Sequence, residues 1–295
     1  MKRTAFIAIV GRPNVGKSTL LNAILGEKVA IVSNKPQTTR NRITGIFTKG
    51  DDQFVFLDTP GMHSPKNSLG EFMVKTADTS MRDADAVVLV VDTGKEITTV
   101  EENVISYLKK SGIPAILALN KIDMYDREQL AETISKYAKK HDFVAFVPIA
   151  AKKGKNVPEL MDECSKFLSE SDWFFPEDMI TDQPERQMAA EIIREKLLRT
   201  LDKEIPHGVA VVIEEFKDED TLIRIRAEIF CEKASHKGII VGKNGAELKR
   251  VGSYAREDLE KLFGTKVYLN LWVKVKENWR ESRAAVGNFG YREEK

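Results

Sequence analysis

The chain has 295 residues, 46 Lys or Arg against 45 Asp or Glu, a net charge of +1 and 42% hydrophobic residues. That length exceeds one typical domain, and the composition fits a globular chain rather than a disordered or fibrous one. There is no apolar run of about eighteen residues and no cleavable leader, and Cys164 and Cys231 are the only cysteines. No membrane span is expected, two distant cysteines argue against a disulfide or cysteine metal site, and a cytosolic, reduced protein is expected.

The first apolar run, Phe6–Val10, leads into Gly11-Arg12-Pro13-Asn14-Val15-Gly16-Lys17-Ser18 and then a helical pattern over 19–25. Strand, Gly-rich loop and helix start together make a phosphate-binding loop. Its backbone N–H groups turn toward an anion, and the helix N-terminus adds a favourable dipole. Residues Gly11 through Thr19 are therefore candidate nucleotide contacts, with Lys17 on the β- and γ-phosphates and Ser18 on Mg²⁺.

Residues 34–40 (Asn-Lys-Pro-Gln-Thr-Thr-Arg) are polar and aperiodic, and read as a loop able to close on the γ-phosphate. Arg40 reads as a positioning or surface residue ahead of a group that stabilises transition-state charge. An antiparallel hairpin is predicted from 43–47 and 54–57 around Lys49-Gly50-Asp51-Asp52. Asp58-Thr59-Pro60-Gly61 follows its second strand, and all four are candidate nucleotide contacts; Asp58 is placed for the Mg²⁺ shell and the Gly61 amide for the γ-phosphate. Met62 stands where Ras-like enzymes carry a water-orienting Gln, so slow intrinsic hydrolysis is expected. His63, alone on a loop, reads as a solvated residue rather than a base.

Runs at 86–91, 115–119 and 144–147 are nearly continuous in apolar residues, as strands buried on both faces are. Helices are predicted around 70–82, 100–111, 127–140 and 157–168, giving a mostly parallel α/β sheet. Its ligand loops belong at the strand C-termini. After 115–119 comes Asn120-Lys121-Ile122-Asp123: the Asp123 carboxylate accepts from guanine N1–H and N2–H₂, Lys121 covers the base, and Asn120 ties loops together. Ala150, Ala151 and Lys152 follow the last strand, with the Ala151 N–H expected at guanine O6.

These strings in this order resemble a translation-factor-class GTPase, with Ala150 standing where such proteins usually carry Ser. Residues 36–40 (Pro-Gln-Thr-Thr-Arg), Met62 and Asn14 resemble the Era family of bacterial GTPases. The resemblance implies that Thr39 completes the Mg²⁺ shell and that Asn14 helps hold K⁺ near the phosphates, so Lys17, Asn14 and Thr39 are the candidate catalytic residues.

The reading in domains is 1–170 for the nucleotide domain, 171–186 for a linker, 187–278 for a second domain and 279–295 for a tail. Two prolines and clustered acids mark the linker, and Trp173, Phe174 and Phe175 suggest that it packs against a domain. A helix–strand–strand pattern follows: a helical pattern over 185–201, then alternation with Ile223, Ile225, Ala227, Ile229 and Cys231 on one face. Next come a short apolar helix to Val241, Gly242-Lys243-Asn244-Gly245, an amphipathic helix and an alternating strand over 267–275. One buried sheet face gives α+β. Residues 233–276 hold ten Lys or Arg against four acids, whereas 214–232 hold three against seven.

The order resembles a smaller type II KH domain, whose Gly-x-x-Gly loop clamps single-stranded nucleic acid. Candidate RNA contacts are Lys237, Gly242, Lys243, Asn244, Gly245, Lys249 and Arg250. Across the whole chain the resemblance implies a monomer that binds GTP or GDP and the 3′ end of small-subunit rRNA, and that assists small-subunit maturation. It also implies, for some members, peripheral association with the inner face of the cell membrane. Two other readings stay open: an RNA-binding module with structural GTP, and a cell-cycle or membrane switch read by a protein effector.

Overall fold

A computed structural model describes residues 1–202 and 204–292. The chain divides into two units. The first contains 1–32, 39–65 and 73–182; the second contains 33–38, 66–72 and 183–295.

In the first unit, β1 (Arg3–Val10), α1 (Lys17–Leu25), β2 (Ile43–Lys49) and β3 (Asp52–Asp58) come first. They are followed by α2 (Ser68–Arg82, of which 68–72 group with the second unit), β4 (Ala86–Asp92), α3 (Thr99–Ser111), β5 (Ala115–Asn120) and α4 (Arg127–Ala138). The unit ends with β6 (Ala145–Pro148), α5 (Val157–Ser165) and the short β7 (Ser169–Glu170). The sheet order is β2-β3-β1-β4-β5-β6, parallel throughout except for β2, with β7 pairing antiparallel to the start of β1.

Ile7, Ile9, Val88, Val90, Ile116 and Ala118 face one side of this sheet, while Ala8, Val10, Val87, Leu89, Val91 and Leu117 face the other. Both faces are buried, which is why the strand segments lack polar alternation. Order reverses between β1, whose neighbours are β3 and β4, and the loops leaving these strand ends carry the phosphate and magnesium candidates.

The segment after β7, itself part of the first unit, is fastened to β2 and β3 by side-chain and backbone hydrogen bonds. Gln53, fully buried, accepts from the Phe174 and Phe175 N–H groups at 3.0 and 3.1 Å and donates to the Phe175 carbonyl at 2.9 Å. Ile46 N–H donates to Ile180 O at 2.9 Å, and Thr181 Oγ1 donates to Thr44 O at 2.7 Å. These bonds occupy part of the β2 edge, which an exposed strand would leave open to non-native pairing.

In the second unit, α6 (Glu185–Thr200) precedes β8 (Ala210–Asp218) and β9 (Leu222–Cys231). Next come α7 (Ala234–Val241), α8 (Ala246–Phe263) and β10 (Lys266–Val275), and α9 (Arg283–Asn288) closes the unit. The sheet order is β10-β9-β8, with β9 parallel to β10 and antiparallel to β8. Its alternating apolar face packs with Ile193, Leu197, Ile240, Val251, Ala255 and Leu259 of α6, α7 and α8. Burial on one face only explains the clean two-residue period.

Residues 279–292, read from the sequence as a tail, are packed. Trp279 is fully buried, its Nε1–H donates to Gly208 O at 2.9 Å, and its ring stacks on Tyr291 with centroids 6.1 Å apart. Residues 33–38, read as part of the nucleotide domain, group with this unit instead: the buried Arg194 on α6 donates to the carbonyls of Gln37 and Thr38.

Candidate functional site

The phosphate loop leaves β1 in a conformation that requires glycine. Gly11 has φ +149°, and a Cβ there would lie 2.4 Å from the Val90 carbonyl oxygen. Gly16 has φ +104° and opens α1 with no side-chain cap, so the first N–H groups of that helix remain available to an anion. Lys17 is buried, and its Nζ donates to the Gly11 and Arg12 carbonyls at 3.1 and 3.1 Å. Asn14 sits exposed at the crest of the loop with φ +64°. Val15 is buried in the core, which anchors the loop, and Thr19 lies in the first turn of α1.

The three residues expected around a magnesium ion converge. Ser18 Oγ donates to Asp58 Oδ2 at 2.6 Å and lies 2.8 Å from Thr39 Oγ1. Asp58 is fully buried, yet its Oδ1 has no hydrogen-bond partner. A buried, unpartnered carboxylate oxygen is costly, and a hydrated cation would satisfy it. Burial pushes the Asp58 carboxyl up to about 6 against the opposing pull of Lys17 and Ser18. Burial also lowers the Lys17 ammonium to about 8, with Asp58 acting in the other direction.

Two residues beside this cluster differ from expectation. Thr59 turns away from the loop: it is fully buried, and its Oγ1 donates to Ile9 O at 2.9 Å, so it fastens β3 to β1. Arg40, read as a positioning or surface residue, is only 1% exposed, which removes the surface alternative. Pro60 is buried after the strand, and a Cβ at Gly61 would lie 2.9 Å from Pro13, so glycine is needed for this close approach. Met62 packs against the core on one face of the sheet, and His63 Nδ1 lies 3.0 Å from the Gly61 carbonyl.

Asn120 ties three loops together. Its Nδ2 donates to Val15 O at 2.7 Å, while its Oδ1 accepts from Lys121 N–H at 2.8 Å and Ala151 N–H at 3.0 Å. The Ala151 N–H, expected at guanine O6, is thus directed to Asn120. Ala150 is buried and its backbone bridges to Lys155, and Lys152 is exposed in the turn that follows. Lys121 adopts φ +67° and its Nζ reaches Asp92 Oδ2 at 2.8 Å, a partner at the end of β4 that the sequence reading passed over. Asp123 lies 3.0 Å from Lys153 Nζ, whose hydrogen bond holds the carboxyl below its usual range.

Because Asn120 is 3% exposed, truncation leaves the Val15 carbonyl and two N–H groups without that partner. Asn120→Ala is expected to lower stability by about 2–4 kcal/mol at the usual cost of an unsatisfied buried group, and to weaken GDP binding in parallel. Paired calorimetric unfolding and fluorescent-GDP titration read both effects.

The second unit carries its own loop. Gly242 (φ +72°) ends α7, Asn244 has φ +51°, and Gly245 (φ +78°) opens α8. A groove of about 520 Å³ runs beside it, lined by Gly245, Leu248, Lys249, Gly252 and Arg256 of the loop and α8 and by residues 267–271 of β10. Lys237, Lys243 and Asn244 are exposed near this loop in the chain without lining the groove. Arg250 pairs with Glu247 at 2.7 Å on its own helix, so its charge is partly offset locally.

Comparison with known proteins agrees with both units. Residues 6–121 match the family described as 50S ribosome-binding GTPase, and residues 204–280 match the KH domain. The GTPase Era of Clostridium kluyveri is 49% identical over 293 residues, covering 99% of this chain and 100% of that one. The GTPase Era of Clostridioides difficile is 50% identical over 294 residues and 99% of each chain. A crystal structure of Era with MgGDPNP and nucleotides 1506–1542 of 16S ribosomal RNA matches with a TM-score of 0.95 at 41% identity, over 99% of each chain. A variant of Aquifex aeolicus Era bound to GDP·AlF₄⁻ matches with a TM-score of 0.95 at 42% identity, over 98% of this chain and 99% of that one. With half its residues shared along nearly its whole length, this chain belongs to the Era family of GTPases, a P-loop α/β domain followed by a KH domain.

Proposed function

We propose that the chain hydrolyses GTP to GDP and phosphate while its KH domain holds single-stranded rRNA from the 3′ end of the small subunit, and that it serves assembly of that subunit. The observation that carries the nucleotide half is the meeting of Ser18, Thr39 and Asp58 beside the phosphate loop, with Asp58 Oδ1 left for a ligand. The RNA half rests on the Gly242–Gly245 loop and its groove, together with the Era relative seen with MgGDPNP and 16S rRNA nucleotides.

In this reading the Ser18 and Thr39 hydroxyls and Asp58 hold Mg²⁺, which supplies charge between the β- and γ-phosphates. Lys17 adds a buried cation, and Asn14, exposed on the loop, would help hold K⁺, which would supply further positive charge there. Met62 has no hydrogen-bonding group with which to orient water, so intrinsic turnover is slow and rises when RNA is held. The coupling runs through residues 33–38: Arg194 binds the Thr38 carbonyl, one residue before Thr39. The chain acts as a cytosolic monomer, in keeping with two buried free cysteines, and visits the membrane only peripherally. Among the described residues no helix is long and apolar enough to cross a membrane.

GTP turnover measured in K⁺ or Na⁺, with and without a single-stranded RNA from the 3′ end of small-subunit rRNA, tests this reading. Faster turnover in K⁺ and stimulation by RNA are expected. Tight RNA binding with unchanged turnover and equal affinity in the GDP and GTP states would make the two halves independent modules. Effector binding that needs no RNA would favour a regulatory switch.

A further inference from the structure

Glu101, in the first turn of α3, is a charged residue that the GTPase reading leaves without a task. It is 1% exposed, and a carboxylate taken out of water needs partners on both oxygens. One oxygen is used locally: Oε2 accepts from the Thr98 N–H at 2.7 Å and from Thr98 Oγ1 at 3.0 Å, closing a capping box. A capping box needs no more than this and is ordinarily a solvated helix end. Here the other oxygen, Oε1, lies 3.2 Å from Arg12 Nε, an ion pair off the line of a hydrogen bond. The buried Tyr137 of α4 feels the same carboxylate: burial first, and then Glu101, pushes its phenol up.

Arg12 is the second residue of the phosphate loop, and three-quarters of its side chain is covered. Its own carbonyl accepts from Lys17 Nζ at 3.1 Å. The neighbouring Gly11 sits at φ +149°, where no side chain restrains the backbone. A fixed guanidinium therefore fixes the peptide whose carbonyl orients the phosphate-binding lysine.

We propose that Glu101 is a positioning residue for the phosphate loop: α3 and α4 hold the carboxylate, the carboxylate holds Arg12, and Arg12 holds the loop in the form that retains nucleotide. This rests on the reading of the loop as the GTP and GDP site. The residue acts on nucleotide retention, at a distance from the transferred phosphate.

Release of fluorescent GDP by the full-length protein, chased with excess GDP in a stopped-flow instrument, tests the proposal. Glu101→Gln keeps an oxygen for the Thr98 N–H and removes the charge; Arg12→Met keeps the stem and removes the guanidinium. Each is expected to speed release about tenfold, and the double variant no more than the faster single one, as for two residues sharing one interaction. Arg12→Lys, which keeps the charge, is expected to bring release back toward the wild-type rate. Thermal unfolding without nucleotide reads the cap separately, and Glu101→Gln is expected to shift it little. Wild-type release rates in Arg12→Met, or single effects that multiply in the double variant, would overturn the proposal and leave Glu101 as a helix cap. If Glu101→Gln does not fold, Glu101→Asp, which keeps the charge but draws it back from Arg12, is read in its place against Arg12→Met. A wild-type protein that binds no fluorescent GDP would refute the nucleotide-site reading instead.

Discussion

Asp123→Asn is expected to lower affinity for GTP and GDP by about a thousandfold and to admit the xanthine nucleotides in their place. The carboxylate offers two acceptor oxygens to the paired donors N1–H and N2–H₂ of guanine. An amide offers one acceptor and one donor, so one guanine N–H would be left facing another N–H. Sites built on such hydrogen bonds reject the mismatched partner by factors on the order of 10⁴–10⁵, and a partly exposed position gives less. Xanthine carries a carbonyl where guanine carries its amino group, which restores the match to an amide. Asp123 is an exposed residue whose side chain is only partly covered, and its partner Lys153 is largely exposed, so freeing Lys153 costs little. Equilibrium titration with fluorescent GDP and XDP reads the exchange. A variant that keeps its guanine affinity would place the base elsewhere.

Gly245→Asp is expected to cut RNA affinity by about ten- to a hundredfold, the effect of losing one or two charge-assisted phosphate contacts, while leaving the fold intact. A Cβ at Gly245 meets nothing within 4 Å, and Asp is among the few side chains that tolerate its φ of +78°. The added carboxylate faces the groove that Lys249 and Arg256 line. The matching change at Gly242 is a poorer probe: a Cβ there would lie 2.8 to 2.9 Å from Glu247 side-chain and backbone atoms, so it would disturb the start of α8 as well as the RNA. Binding of a single-stranded RNA should weaken in Gly245→Asp with an unchanged unfolding midpoint, and its salt dependence should become shallower. Undiminished binding would remove this loop from the RNA site.

The elements most legible in the sequence are those whose surroundings are uniform. β4 and β5 are covered on both faces, so they read as unbroken apolar runs; β9 and β10 are covered on one, so they alternate. The phosphate loop and the loop between α7 and α8 are legible because glycine positions and a helix start are local properties. The Ser18–Thr39–Asp58 cluster could be anticipated only from motif order, since its members are 21 and 40 residues apart.

Other features depend on partners that no local period marks. Asn120 reaches Val15 across 105 positions, and Trp279 reaches Gly208 across 71. Thr59 and Ala151 sit in the expected strings, and their donors are directed to Ile9 O and Asn120 Oδ1, partners that lie 50 and 31 positions away. Arg40 and Glu101 are charged residues that composition places at the surface, and only the packing of the folded chain encloses them. The grouping of residues 33–38 with the second unit had no counterpart in the sequence, because it depends on the bonds of Arg194 to their carbonyls. Hydrophobic period, glycine placement and motif order thus determined which elements form and which nucleotide they serve. The tertiary structure decided which donors remain for ligands and which charges are buried, because those depend on contacts between residues far apart in the chain.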